Sequence, residues 1–303
     1  MTTDSWVLIT ADGWAGGLAA ARGVGGQVTA AVVGSRELAD AVAAAAPDRV
    51  LWVEAPAGTP AEAYAVPLAA VIAEAAPGVL VSTAEPAARV LLGAAAARCR
   101  AALLPGVVEL ATEAGRVLVR RAVIGGETVE TCAVDGPVAV VYAGEDATTM
   151  ATGPGSAVER LDLEPAAVSV LRREALAEAS GLDDAQRVVS FGRGVKAKDD
   201  VALIQGLADA IGAELACSMP VADDLGWLDK SRYVGRSGNH ISPALYLAVG
   251  IAGAPQHLEG VRGARIVAAI NIDPDARIFH SADYGIVGDL YEVVPALVAE
   301  LNK

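Results

Sequence analysis

The residues of this chain that could do chemistry crowd into its C-terminal half, most densely in RYVGRSGNHISPALYLAVGIAGAPQH, residues 232–257. Gly, Ser, Arg, Asn and Gln alternate there at close spacing, and two of the three histidines, His240 and His257, lie inside it. Glycine lets a backbone approach a ligand closely, and a guanidinium forks onto phosphate or carbonyl oxygens. The pattern suits a phosphate-bearing ligand. Other polar or glycine-bearing stretches recur nearby: GRGVK at 192–196, CSMP at 217–220, NIDPDA at 271–276 and GDL at 288–290. No nucleophile or acid–base pair accompanies them, and Glu259 and Asp283 read as isolated, solvated carboxylates.

The elements needed to position these stretches are legible as apolar runs. In the C-terminal half, strands are predicted at 187–192, 214–219, 246–253 and 265–273, with a looped strand over ARIFHSADYGIVGD and a closing helix over LYEVVPALVAELN. Between the first two strands, Val201, Leu203, Ile204, Leu207 and Ile211 recur at helical spacing. Repeated β-α-β units of this kind predict a doubly wound parallel sheet, which binds ligands at the carboxyl ends of its strands. Every unusual stretch falls at such an end, and the array predicts one binding crevice.

The N-terminal half predicts a scaffold. Strands at 6–10, 27–34, 49–56 and 78–85 alternate with helices at 17–24, 37–46, 61–76 and 86–104, with Pro67 kinking or interrupting the third helix. The β-branched, glycine-punctuated run 107–143 predicts added antiparallel strands and hairpins. A linker is expected over GEDATTMATGPGSA, 144–157, followed by a helix at 165–180. ADGWAGG at 11–17 lacks the spacing of a dinucleotide fingerprint and reads as a turn. The expected domains are 1–155 and 156–303.

Composition bounds the function. With 53% hydrophobic and 20% charged residues the chain is globular, and 303 residues suffice for two cores. A net charge of −14 argues against a nucleic-acid partner. Cys99, Cys132 and Cys217 have no metal-ligand spacing and read as reduced thiols. Mean hydropathy of +0.43 comes from Ala and Val in short runs, none long enough to span a bilayer. MTTDSWVLIT carries no legible secretory signal, so a soluble, cytoplasmic protein without membrane insertion is expected.

Taken in order, GRGVK, CS, VGxSG, GIxGAxQH, AINxDPDAxIF and ADYGIVGDLYEVVP make the chain resemble the alpha subunit of electron-transfer flavoproteins, in particular the FixB-type branch. The resemblance implies an α/β protein of two domains: an N-terminal nucleotide-hydrolase-like α/β domain with added antiparallel strands, which meets the beta subunit, and a C-terminal doubly wound FAD-binding domain. It implies a heterodimer with a beta subunit that holds AMP or a second FAD. The chain would be a redox carrier with no organic substrate of its own, taking electrons from an acyl-CoA dehydrogenase-like donor and passing them to a quinone oxidoreductase or another acceptor. An FAD-holding structural subunit with little redox cycling is the alternative.

Carried over by the resemblance, Arg193 and Ser218 contact the cofactor, with Met219 beside them. Val234, Gly235, Arg236 and Ser237 pass the flavin ring, with the Ser237 hydroxyl within reach of N5. Ala252, Gly253, Ala254, Pro255, Gln256 and His257 form the helix-start loop on the pyrophosphate side, where free N–H groups meet negative charge. His257 lies near the C2 carbonyl, and Asn271, Asp289 and Leu290 lie towards the ribose and adenine. The chain departs from the family at several of these positions. Met219 stands where an arginine is usual, Ala252 replaces a serine, Pro255 an aliphatic residue and Ile272 a lysine, while Arg236 adds a cation. A charge 4 Å from the ring is worth about 4 kcal/mol at an effective dielectric near 20. Arg236 is therefore expected either to compensate for the cation absent at 219 or to point into solvent.

Overall fold

The computed structural model describes residues 3–126, 128–144, 155–172 and 181–303. The chain divides into two compact units, Met1–Arg173 and Glu174–Lys303. None of the described helices is long and apolar enough to cross a membrane.

The first unit is built on one mixed sheet. Strands β1 (Thr3–Ile9), β2 (Gly25–Gly34), β3 (Arg49–Glu54) and β4 (Val79–Ser82) alternate with helices α1 (Ala15–Arg22), α2 (Arg36–Ala44), α3 (Ala65–Ala75) and α4 (Pro86–Cys99). Then come β5 (Ala102–Glu113), β6 (Arg116–Val123), β7 (Thr128–Val134), β8 (Val138–Tyr142) and β9 (Val158–Arg160), giving the order β7-β6-β5-β8-β4-β1-β2-β3-β9. Alternate residues of a strand face opposite sides. In β1, Val7 and Ile9 enter one apolar core while Trp6 and Leu8 enter the other. Burial on both faces is why these strands read as unbroken apolar runs. The expected antiparallel addition is β5, β6 and β7.

Four expectations shift. The helix expected to 104 stops at Cys99, because Arg100 turns left-handed at φ 53° and Ala102–Leu104 pair in parallel with β8. Pro67 does not break its helix; it occupies the first turn of α3, where a missing N–H goes unneeded. The units divide at 173, beyond the boundary expected at 155, because β9 pairs with β3 and Leu161 and Leu163 pack on the first unit's core. Residues 165–172 are not helical; Ala166 and Val170 donate to the Ala63 and Gly58 carbonyls instead. The remainder of that expected helix, 173–180, and most of the expected linker, 145–154, lie outside the described residues.

The second unit is a five-stranded parallel sheet: β10 (Arg187–Phe191), β11 (Glu214–Cys217), β12 (Leu245–Val249), β13 (Val267–Asn271) and β14 (Tyr284–Val287), ordered β11-β10-β12-β13-β14. Helices α5 (Val201–Ala210) and α7 (Leu290–Leu301) cover one face with Phe191, Leu247 and Ile270. On the other, Val188, Tyr246 and Ala248 meet Ile241, Val261 and Ile278. In this order the chain leaves β10 towards one edge of the sheet and later returns to build β12 on its other side. Connections diverge at such a split, and a crevice opens there at the carboxyl ends.

The turns after β10 and β12 nonetheless touch at their base. A Cβ on Gly250 would lie 2.8 Å from the Gly194 Cα, and one on Gly192 would lie 2.4 Å from the Gly250 oxygen. Gly250 also has φ +62°, a conformation that resists side chains. Gly250→Ala is therefore expected to destabilise the second unit by about 1–3 kcal/mol, read as a lower denaturation midpoint. An unchanged midpoint would contradict this packing.

Candidate functional site

A cavity of about 540 Å³ occupies the split between β10 and β12. Four turns and one strand end wall it. The turn after β10 contributes Gly192, Arg193 and Gly194, and the turn after β11 contributes Ser218, Met219 and Pro220. The segment Tyr233–Ser237 forms a third wall, and Gly250–Ala254 with Gln256 and His257 a fourth. Asn271 closes it from the end of β13.

Most of the side chains singled out from the sequence thus share one space: Arg193, Ser218, Met219, Val234, Gly235, Arg236, Ser237, Ala252, Gly253, Ala254, Gln256, His257 and Asn271. Three do not line it. Pro255 sits in the first turn of α6 (Pro255–Glu259). Asp289 caps α7, accepting from the Tyr291 N–H at 2.9 Å. Leu290 is buried in the core, its Cδ2 against Gly250. Conversely, Gly192, Gly194, Pro220, Tyr233, Gly250 and Ile251 line the cavity without having been singled out. The glycines among them were readable only as flanks of other motifs.

Local structure fixes each wall. Val234 donates to the Cys217 carbonyl, which ties the third wall to the end of β11. The Arg236 N–H donates to the Gln256 carbonyl at 2.7 Å, joining that wall to α6. The Asn271 side chain spends both ends of its amide on the fold, donating to the Ile251 carbonyl at 2.8 Å and accepting from the Asp273 N–H at 3.0 Å. Successive N–H groups of Ala252, Gly253 and Ala254 donate to nothing among the described residues. With Gly253 at φ +80° they form a row of donors that an anion can satisfy. Helix α6 has five residues and little macrodipole, so these donors matter more than its field.

The two cations of the cavity differ. Arg236 pairs through Nε with Glu259 Oε2 at 2.6 Å, so Glu259 is not the isolated carboxylate expected from sequence, and neither expected fate of Arg236 describes it fully. Arg193 is exposed and makes no ion pair or hydrogen bond through its side chain among the described residues. The uncommitted positive charge therefore sits on the turn after β10. Met219 is 46% exposed on the wall and adds apolar surface without charge.

Below the cavity lies a buried polar pair. The Tyr246 hydroxyl and His257 Nε2 are 2.6 Å apart, and both residues are buried. Burial raises the Tyr246 pKa, with the Ser190 hydroxyl opposing and Cys217 adding, so the phenol keeps its proton and is available to donate it to Nε2. Burial also pulls His257 down to about 4, against a smaller contribution from the Val234 backbone. The imidazole is neutral at pH 7, and with the phenol as the donor to Nε2 its proton sits on Nδ1. That nitrogen makes no hydrogen bond of good geometry among the described residues, although the Val234 backbone lies close enough to raise the imidazole pKa. An orphaned buried donor costs roughly 1–3 kcal/mol until something accepts from it.

Comparison with known proteins gives this geometry a context. Residues 181–262 match the family model of the electron transfer flavoprotein FAD-binding domain, and residues 15–168 match that of the electron transfer flavoprotein domain. The chain is similar to the Escherichia coli K12 protein YdiR, named as an electron transfer flavoprotein subunit, at 33% identity over 80% of each chain. It is also similar to the protein FixB of an Escherichia coli O17:K52:H18 strain at 39% identity, and to FixB of Salmonella typhimurium at 38%, each over 68% of both chains.

The neutral, buried His257 makes stability depend on pH. Its folded pKa of about 4 lies below the ordinary imidazole value of 6.5. Between those values the unfolded chain binds more protons than the folded one, so stability falls as pH is lowered through the window. The full effect is about 3 kcal/mol. Denaturation of wild type and His257→Gln across this range is expected to show the loss in wild type and a flatter profile in the variant. Parallel profiles would contradict the assignment.

Proposed function

This chain belongs to the electron transfer flavoprotein alpha-subunit family, and on that premise we propose that the cavity between β10 and β12 is where its FAD lies. Alpha subunits of this family pair with a beta subunit, and we assign this chain the same arrangement, with AMP or a second FAD in the partner. As donor we assign a flavin dehydrogenase of the acyl-CoA dehydrogenase type, and as acceptor a quinone oxidoreductase or a comparable carrier. FAD supplies the redox chemistry when bound, taking up electrons from one protein and releasing them to another.

The observation that carries this reading is that three unmet polar needs belong to residues lining one cavity. They are the free N–H groups of Ala252–Ala254, the uncommitted Arg193 guanidinium and the orphaned His257 Nδ1. A dinucleotide has phosphates for the first two and ring carbonyls for the third. Met219, Pro220 and Ile251 supply the apolar wall that a planar ring system needs. The residues present therefore fit the cofactor.

In this arrangement Arg193 and the 252–254 amides hold anionic oxygens. Tyr246 keeps the His257 proton on Nδ1, where a neutral donor lowers the cost of negative charge on a neighbouring carbonyl oxygen. Glu259 holds Arg236 and offsets part of its charge, so Arg236 contributes less to the field in the cavity than a free guanidinium would. That offset, with Met219 in place of a cation, also favours the second reading, an FAD-holding subunit with little redox cycling.

Two measurements on the heterodimer test this. A charge-assisted hydrogen bond is worth about 1.5–3 kcal/mol, so Arg193→Met is expected to weaken FAD retention roughly ten- to a hundredfold, and Arg236→Met much less. Equal losses would contradict the assignment of the free charge. Reversible bleaching of the flavin absorbance by a dehydrogenase donor is expected for a carrier; FAD that stays oxidised would favour the structural reading.

A further inference from the structure

Tyr233 lies on the cavity wall directly before the segment assigned to the flavin ring, and its side chain is spent on that segment. The hydroxyls of Tyr233 and Ser237 are 2.6 Å apart. The tyrosine cannot easily turn away. Its carbonyl accepts from the Asn239 N–H at 3.0 Å and from Asn239 Nδ2 at 2.8 Å. Its ring lies flush against Gly238, where an added Cβ would fall 2.5 Å from a ring carbon. Asn239 Nδ2 donates also to the Ser231 carbonyl at 2.7 Å, which closes the turn around the ring.

Of the two hydroxyls, the phenol is by far the stronger acid, so it is the donor and the Ser237 oxygen is the acceptor. A serine whose oxygen is occupied in this way has its own O–H left to give, and accepting one hydrogen bond strengthens the one it donates. A lone serine hydroxyl samples several rotamers and can present a lone pair as easily as its proton. Ser237 is exposed on the cavity wall.

We propose that Tyr233 is a positioning residue for electron uptake: it fixes Ser237 as a hydrogen-bond donor towards the flavin ring. The proposal rests on the reading that FAD occupies this cavity. Tyr233 reaches the ring only through Ser237, so it tunes the ease of reduction and leaves the amount of cofactor bound nearly unchanged. A donor aimed at a ring acceptor favours the electron-richer form, and a neutral hydrogen bond of this kind changes an equilibrium by roughly two- to tenfold.

The test uses the heterodimer with its beta subunit and compares wild type, Tyr233→Phe, Ser237→Ala and the double variant. FAD content and the midpoint potential for uptake of the first electron are measured for each. Tyr233→Phe keeps the ring packed on Gly238 and removes only the hydroxyl. Expected are full FAD content and a lower potential in Tyr233→Phe, corresponding to a roughly two- to tenfold less favourable first-electron equilibrium. Ser237→Ala is expected to lower the potential at least as far, and the double variant to match Ser237→Ala. A Tyr233→Phe protein with full FAD and the wild-type potential would overturn the proposal, as would additive shifts in the double variant. Wild-type heterodimer without FAD in this chain would instead overturn the reading beneath it.

Discussion

The site depends on the contact of two turns at the split in the second sheet, where Gly192 and Gly194 lie against Gly250 at distances that admit no Cβ. Strand order alone opens a crevice between diverging connections. The glycine contact sets its floor: the turns after β10 and β12 meet at their base and separate above it. Arg193 and the 252–254 amides are thereby held on opposing walls of one cavity. These glycines serve the close approach of the protein to itself, in addition to any approach to a ligand. The same holds at Gly253, where an added Cβ would lie 2.3 Å from the Ile278 nitrogen.

On that floor the chain arranges its polar groups unevenly. Tyr246, Asn271 and Glu259 are committed to internal partners, and in being so they decide what is left over: the proton on His257 Nδ1, the free edge of the cavity, and the weaker of two cations. A protein with net charge −14 opposes an anionic dinucleotide at long range, so short-range donors must supply the attraction. In the proposed site the leftover set would do this with backbone amides, one guanidinium and one neutral imidazole. Cys217, buried beside this set with its thiol pushed up to about 12, takes no part in it as a charge.

Much of this was legible in the sequence, for physical reasons. Buried parallel strands write themselves as β-branched runs, so β1–β4 and β10–β13 fall where the apolar stretches are. Polar and glycine-bearing turns at one sheet edge recur at strand ends, which is why residues as distant as Arg193 and Asn271 could be grouped before any coordinates. What stayed hidden was tertiary. Arg236 and Glu259 are 23 residues apart, and nothing local announces their pairing. Tyr246 reads as one more apolar strand residue until its hydroxyl meets His257. Residues 165–172 have a composition that suits a helix, yet their backbone is claimed by the carbonyls of Gly58 and Ala63. Asp289 and Leu290 follow a strand end like the true wall residues, but a helix cap and the core take them.

The proposed FAD position, between the 234–237 segment and the 252–257 turn with the phosphates towards Arg193, is tested most directly by an electron-density map of the heterodimer. Density for an isoalloxazine ring is expected against Val234–Ser237, with a ring carbonyl within hydrogen-bond distance of His257. Flavin density confined to the beta subunit, or a ring elsewhere on this chain with His257 Nδ1 still unpartnered, would contradict it.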